Sequence, residues 1–415
     1  MTTTTHRHTV AIVGAGAAGL TAAAMLKRTR PDLDIALIDS ATYHYYQPAW
    51  TLVGGGCYDI GRTRRELRTL IPQGVRHLAE RVEQFEPEHN RVVLGNGDAV
   101  EYQVLIVAAG LQLDWHKIEG LKETLGKNGV SSNYAYEYAP YTWQCISQLK
   151  GGVALFTQPA MPIKCAGAPQ KALYLAADHF RRNGLSVQSH FYTPGPAMFS
   201  VPFYAQALDK VVAHYGITAH FGHTLVAVDG PRRTATFEVG PDKQRVTQAF
   251  DFLHVVPPQS APDVIKRSPL ADASGWMAVD KFTLQSPKYD NVFGFGDCTT
   301  TPNSKTAAAV RAQAPVVVTN VLRRLSGSGG EARYDGYASC PLTTSRGKIM
   351  LAEFCYDGVV TPSFPLDPRI PRRSYWWLKK HYLPYLYWEQ MLRGRPGPDW
   401  HAKREFPAQV PTFEP

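Results

Sequence analysis

Nowhere in this chain do 18 apolar residues run without a charge, so a membrane-spanning helix is not expected. Its start, MTTTTHRHTV, has no apolar core of the kind a secretory leader needs, and the chain reads as mature from near residue 1 and cytoplasmic. Cysteine is scarce: Cys57, Cys145, Cys165, Cys298, Cys340 and Cys355 are all there are. They are too few and too scattered for a disulfide framework. No C-x-x-C pair occurs, so no metal site is expected, and most of the thiols should be buried and inert. Acidic residues are outnumbered, 35 against 44 basic, for a net charge of +9. Of that excess, +5 lies between Pro371 and Glu405. A basic tail suits nucleic acid or an acidic membrane surface. No RNA- or DNA-binding motif accompanies it, so a nucleic-acid partner is not expected.

What is present begins with a strand-like run, TVAIV at 9–13, followed by G-A-G-A-A-G and the helix-prone LTAAAMLKR. A second strand-like run, DIALIDS, carries Asp39. Strand, glycine turn, helix, strand and acid in this order form the Rossmann fingerprint. Gly14 permits the tight turn, Gly16 lets a pyrophosphate approach the backbone, and Gly19 lets helix and strand pack closely. Ala17 and Ala18 open the helix whose positive end faces the anion. Asp39 can accept hydrogen bonds from a ribose diol. Two later stretches resemble those of two-dinucleotide-domain flavoproteins and make the nucleotide FAD. VLIVAAG ends in Gly110 where such chains leave the FAD domain, and YDNVFGFGDCTT carries Gly296 and Asp297 where they return to it. The next run, SKTAAAVRAQA, reads as a helix whose N-terminus and Lys305 could face the flavin and stabilise its reduced form.

A second glycine fingerprint is missing. Where it would stand, between strand-like GGVALFT and helix-like KALYLAADHF, the chain reads TQPAMPIKCAGAPQK. Proline has no N–H to donate, so a phosphate cradle is dismantled there. Electrons must then come from a donor other than NADH, and Cys165 is placed to receive them. A cysteine ahead of a helix and beside Lys164 has two reasons to ionise. Cys340, followed by proline in an apparent turn, is the candidate partner and Cys298 its competitor. Spacing does not pair them.

PIKCAGAPQK, VFGFGDCTTTPNSKTAAAVRAQ and YDGYASCPL, with YYQPAWTLVGGG and YLYWEQMLRG, together resemble the sulfide:quinone oxidoreductases, in the branch that includes the mitochondrial enzymes. The resemblance runs from Val10 to about Gly394. It implies FAD, a redox pair at Cys165 and Cys340, and FAD contacts at Gln47 and Val82 besides Asp39, Asp297 and Lys305. It also implies oxidation of hydrogen sulfide with membrane quinone as acceptor, the persulfide on Cys340 and the flavin-directed thiolate on Cys165. A small thiol or sulfite would take the sulfur. The expected fold is α/β: an FAD domain split between 1–114 and 286–330, a second Rossmann-like domain at 115–285, and a C-terminal region at 331–415. Type II NADH:quinone oxidoreductase and a sulfide or redox sensor without turnover are the alternatives. With no transit sequence ahead of the fold, the expected location is the cytoplasmic face of a bacterial inner (plasma) membrane. A homodimer is left open.

The tail SYWWLKKHYLPYLYWEQMLRG is rich in tryptophan and tyrosine and flanked by basic residues, as an interfacial helix requires. Pro384 should divide it into two short amphipathic helices. Quinone and membrane contacts are expected at Phe354, Trp376, Trp377, Tyr385, Tyr387 and Trp388.

Overall fold

The β-branched run at the start becomes a nine-residue strand, Thr5–Val13, in a computed structural model that describes residues 4–398 and 400–415. Its last four residues are buried, as a strand covered on both faces must be. It pairs in parallel with Ile35–Ile38 on one side and Ala99–Val107 on the other, and Val75–Leu78 extends the parallel set. Arg91–Leu94 and Val82–Glu86 continue the sheet as antiparallel strands. Far later in the chain, Val292–Gly294 returns to lie parallel on Ala99–Val107. That return divides this unit in sequence. Helix α1 (Ala17–Thr29) follows the first strand and packs on helix α3 (Ala307–Ser326), which follows the last.

A second sheet is built from the chain between those halves. Its strands, all parallel, lie in the order Val130–Ser131, Phe252–His254, Gly151–Thr157, Ser186–Thr193 and Thr218–Phe221. Helix α2 (Ala168–Arg182) crosses between Gly151–Thr157 and Ser186–Thr193. Twelve of its 15 residues are buried, because the sheet and the later hairpin 338–354 both pack on it. That hairpin pairs Ala338–Ser345 with Lys348–Phe354. Cys340 and Pro341 therefore sit within a strand, not in the turn expected from the sequence. The ribbon has only two strands, so a residue without an N–H is tolerated on an outer edge.

The tail is helical from 373 to 393 without the break expected at Pro384. The segments Leu378–Tyr382 and Leu386–Gln390 on either side of it are π-helical. Wider bonding there carries the winding past a residue that cannot donate.

Candidate redox site

Both glycine motifs singled out in the sequence are shaped by close backbone approach. A Cβ on Gly14, where φ is +98°, would strike the Ala108 carbonyl, and one on Gly19 would overlap the Gly14 carbonyl oxygen. At Gly16, by contrast, nothing lies within 4 Å, and this residue caps α1 without any side-chain bond to the first-turn N–H groups. Gly19 thus draws α1 onto the turn, while the space beside Gly16 at the head of the helix stays open. Gly110 has φ +67° and is equally clear of neighbours. Gly296 donates its N–H to Gln313 at 2.9 Å, and a Cβ on it would lie 3.3 Å from that of Ala18. The second motif is thereby set against the first.

Asp297 is half-buried, and no described residue donates a hydrogen bond to its carboxylate. Burial raises its pKa, against the pull of Lys305 and Lys164. A carboxylate left bare beside an open cradle fits a group that brings its own hydroxyls, as the ribityl or ribose of a flavin dinucleotide does. Asp39 accepts the N–H of Ala15 at 2.6 Å and of Ala41 at 2.8 Å. Two of its four acceptor positions remain for a diol. Val82 begins its strand four residues beyond Leu78, whose carbonyl accepts the Asp39 N–H at 3.1 Å.

Lys305 is buried, not a solvated residue at a helix start. Its ammonium donates to the Thr299 carbonyl at 2.8 Å and lies 4.4 Å from the centre of the Trp276 ring. Burial lowers its pKa, opposed by Asp297. Thr306 caps α3, accepting the Ala309 N–H at 3.1 Å. The Lys305 carbonyl in turn accepts the N–H of Cys165 at 2.7 Å. This single main-chain bond, beside a short bridge pairing Lys164 with Lys305, joins the cysteine loop to the flavin motif. Cys165 sits there at φ +52°, a left-handed conformation unusual for a residue with a Cβ.

Cys165 packs against the buried cluster that holds Cys340, close enough for the two sulfurs to interact, and both are free. Their acidities are driven apart. The bond from Cys340 is the largest influence lowering Cys165, followed by the charge and hydrogen bond of Lys171 and the charge of Lys379, against the cost of burial. Cys340, fully buried, is raised by the same bond and by desolvation. Negative charge is therefore favoured on Cys165 over Cys340, with the Ser304 hydroxyl 3.6 Å from the latter's sulfur.

The ammonium beside the thiolate is Lys171, 3.1 Å from the sulfur, and not Lys164 as its adjacency suggested. Lys164 turns away to the Gln47 carboxamide at 2.6 Å. Exposed Gln47 is thus bonded to the cysteine loop. Lys171 is legible in retrospect, being in the first turn of the helix that follows the cysteine. Lys379 is not. It comes from the tail, is buried, and donates to the Pro48 carbonyl at 3.3 Å. Burial and neighbouring Lys171 bring its pKa down to about 7, while the two cysteines push it back up. Cys298, the competing thiol, is buried beneath the flavin motif and raised to about 11 by desolvation.

Several membrane-facing expectations are corrected. Tyr387 and Trp388 are buried. The Tyr387 hydroxyl bonds to His44 at 2.7 Å, and His44 reaches the Ala15 carbonyl at 3.1 Å. Arg65 covers Trp388 at 4.5 Å and pairs with Glu389. A helix docked on the protein must bury one side of its aromatic surface, and these two residues occupy it. Phe354 is also buried, its ring against Phe199 and Tyr204. Trp376 is half-buried, whereas Trp377 and Tyr385 are exposed by 60% and 52%. No helix among the described residues is long and apolar enough to cross a membrane.

Residues 8–141 match the pyridine nucleotide-disulphide oxidoreductase family. Over 98% of its length the chain is 44% identical to "Sulfide:quinone oxidoreductase, mitochondrial" of Dictyostelium discoideum, covering 89% of that protein. It is 40% identical to the mouse protein of the same name, over 94% of this chain and 88% of the relative. Among solved structures, that of the sulfide:quinone oxidoreductase from Aquifex aeolicus superposes with a TM-score of 0.76 at 20% identity, covering 95% of this chain and 93% of that one. The expectation of a bacterial plasma-membrane protein is overturned, since these full-length relatives are mitochondrial enzymes of eukaryotes.

Proposed function

The chain belongs to the sulfide:quinone oxidoreductase family, and from that premise we propose how its own residues carry the reaction. It is a flavin-dependent oxidoreductase that oxidises sulfide and delivers the electrons to quinone. The flavin is FAD, held by the turn from Gly14 to Gly19, by Asp39, Val82 and Gly110, and by Gly296 and Asp297. When bound it supplies a two-electron acceptor standing between sulfide and quinone. The first part of its domain is 1–114 and the second 286–330. Residues 115–285 carry Cys165, and 331–415 carry Cys340 and the tail.

The observation that carries this reading is the asymmetry of the cysteine pair. In a disulfide exchange the sulfur that leaves is the one better able to hold negative charge. The Lys171 ammonium, 3.1 Å from its sulfur, and the charge of Lys379 give that capacity to Cys165. Hydrosulfide therefore attacks the Cys340 sulfur of an oxidised pair. The Cys165–Cys340 bond breaks, a new sulfur–sulfur bond forms on Cys340, and Cys165 departs as a thiolate. The Cys165 thiolate is then the electron-rich sulfur, fixed by its N–H to the Lys305 carbonyl beside the flavin motif. A small thiol or sulfite takes the outer sulfur from the Cys340 persulfide. Buried Lys305 would provide positive charge for a bound flavin in its reduced state. Exposed Trp377 and Tyr385, with the basic side chains around them, support a tail that meets a membrane surface and its quinone.

The test is anaerobic. Sulfide should bleach the flavin of the full-length protein, and NADH should not. Cys165→Ser and Cys340→Ser should each keep their flavin and lose this bleaching, while Cys57→Ser and Cys145→Ser retain it. Bleaching by NADH at a comparable rate would restore the type II NADH:quinone reading. Normal turnover by either redox-site variant would remove the cysteines from the mechanism.

A further inference from the structure

One group of metal-ligating side chains lies apart from the redox site. Asp335, in the segment leading to the hairpin 338–354, Cys355, at its exit, and His401, in the C-terminal segment, come together although the sequence separates them. One ligand atom from each lies within 4.8 Å of the others. The Asp335 Oδ2 is 2.7 Å from His401 Nε2 and 3.3 Å from Cys355 Sγ. A thiolate, an imidazole and a carboxylate form a set that suits zinc, at about 2.3, 2.0 and 2.1 Å respectively. Tetrahedral ligands at those lengths stand roughly 3.3–3.7 Å apart. Those separations are reached from the present spacing by movements on the order of 1 Å, with Asp335 Oδ2 drawing back from the imidazole.

The supporting contacts are those of a built site. Tyr337 donates its N–H to the other Asp335 oxygen at 3.0 Å, which aims Oδ2 at the sulfur and the ring. The Tyr337 ring stacks on His401 with centroids 4.1 Å apart and planes 16° apart, fixing the face the imidazole presents. The Thr361 hydroxyl lies 3.3 Å from the Cys355 sulfur. Groups of this kind, outside the ligands themselves, set ligand orientation in metal sites. Cys355 is half-buried, packed on the core on one side and facing polar partners on the other.

We propose that Asp335, Cys355 and His401 bind a zinc ion, with water in the fourth position, and that the ion fastens the C-terminal segment across the hairpin that carries Cys340. Binding converts the Cys355 thiol to thiolate and releases its proton to solvent. Arg311 already holds this segment upstream through the carbonyls of Pro396 and Pro398, at 3.3 and 3.2 Å. The ion adds a second fastening directly over the start of the hairpin.

The experiment titrates the full-length, flavin-carrying protein with zinc chloride in the absence of sulfide. Calorimetry reports the stoichiometry, and mass spectrometry maps which cysteines alkylate. One zinc per chain should bind and protect Cys355. His401→Gln and Asp335→Asn should each weaken binding by at least about tenfold, as loss of a ligand must cost no less than loss of an orienting group. Cys355→Ser should abolish binding while the protein keeps its flavin and its bleaching by sulfide. The Cys165→Ser, Cys340→Ser double variant should bind zinc like the parent. Cys355 alkylating equally fast with and without zinc overturns the proposal, and this needs no variant to fold. So does zinc binding that survives in Cys355→Ser or disappears with the redox pair.

Discussion

Replacing Lys171 with methionine removes the ammonium 3.1 Å from the Cys165 sulfur and leaves a side chain of similar length in the buried slot. A charge of opposite sign at such a distance shifts a pKa by about 1–3 units, each unit being worth about 1.4 kcal/mol. The Cys340 contact and Lys379 remain, so the expected rise is in the lower part of that range, about 1–2 units. On the acid side of the midpoint this means about ten- to a hundredfold less thiolate at a given pH. The assay is the rate of Cys165 alkylation in the reduced protein across pH. Its midpoint belongs to the coupled pair rather than to one sulfur. Lys171→Arg keeps the charge and should restore most of the original profile. A purely structural lysine would slow the reaction without moving its midpoint. A shift below about half a unit, or an equal shift in Lys171→Arg, would refute the assignment.

The remaining predictions concern the same architecture. Burial brings Lys379 from 10.5 to about 7, so between those values the unfolded chain holds the proton more tightly and stability rises with pH. Lys379→Met should therefore raise the melting temperature most near pH 6 and least near pH 10; no gain at pH 6 would contradict the buried ammonium. Gly19→Ala places a methyl group on the Gly14 carbonyl and should yield protein without yellow colour, checked by the ratio of flavin to protein absorbance. Trp377→Ala with Tyr385→Ala should weaken binding to anionic liposomes and leave the melting temperature within a few degrees. Trp388→Ala should instead cost about 3–5 kcal/mol of stability, as the loss of a buried tryptophan does; equal effects on liposome binding from both would refute the division of the tail into inner and outer faces.

Much of the geometry of the glycine turns was readable because its requirements are local. Gly14 and Gly19 are dictated by clashes within one strand–turn–helix unit, and Gly296 announces itself by the strand before it. The absence of a second glycine turn was equally legible, since Pro159 and Pro162 remove donors wherever they fold. What the sequence hid was everything brought in from a distance. Lys379 stands in a run of basic and aromatic residues that reads as solvated or lipid-facing, and only the docking of the tail buries it. Tyr387 and Trp388 carry the same composition as Trp377 and Tyr385, and composition does not say which side of a helix is covered. Pro384 signalled a break that the π-helical turns around it remove. Asp335, Cys355 and His401 have no spacing that joins them before the hairpin and the C-terminal segment are in place.

The bond between the Cys165 N–H and the Lys305 carbonyl has a consequence for how this protein can vary. Its two atoms belong to the main chain, so any residue at 305 offers the same acceptor and any residue but proline at 165 the same donor. Exchange of side chains leaves the reach from cysteine to flavin motif untouched. Insertion or deletion of a single residue, in either 158–165 or 298–305, shifts the ladder out of step and moves the sulfur by about 3.3 Å or more. Away from Cys165 and Lys305 themselves, the two loops should thus be permissive in spelling and intolerant in length, which a library scoring substitutions and indels side by side would register as opposite signatures in the same two segments.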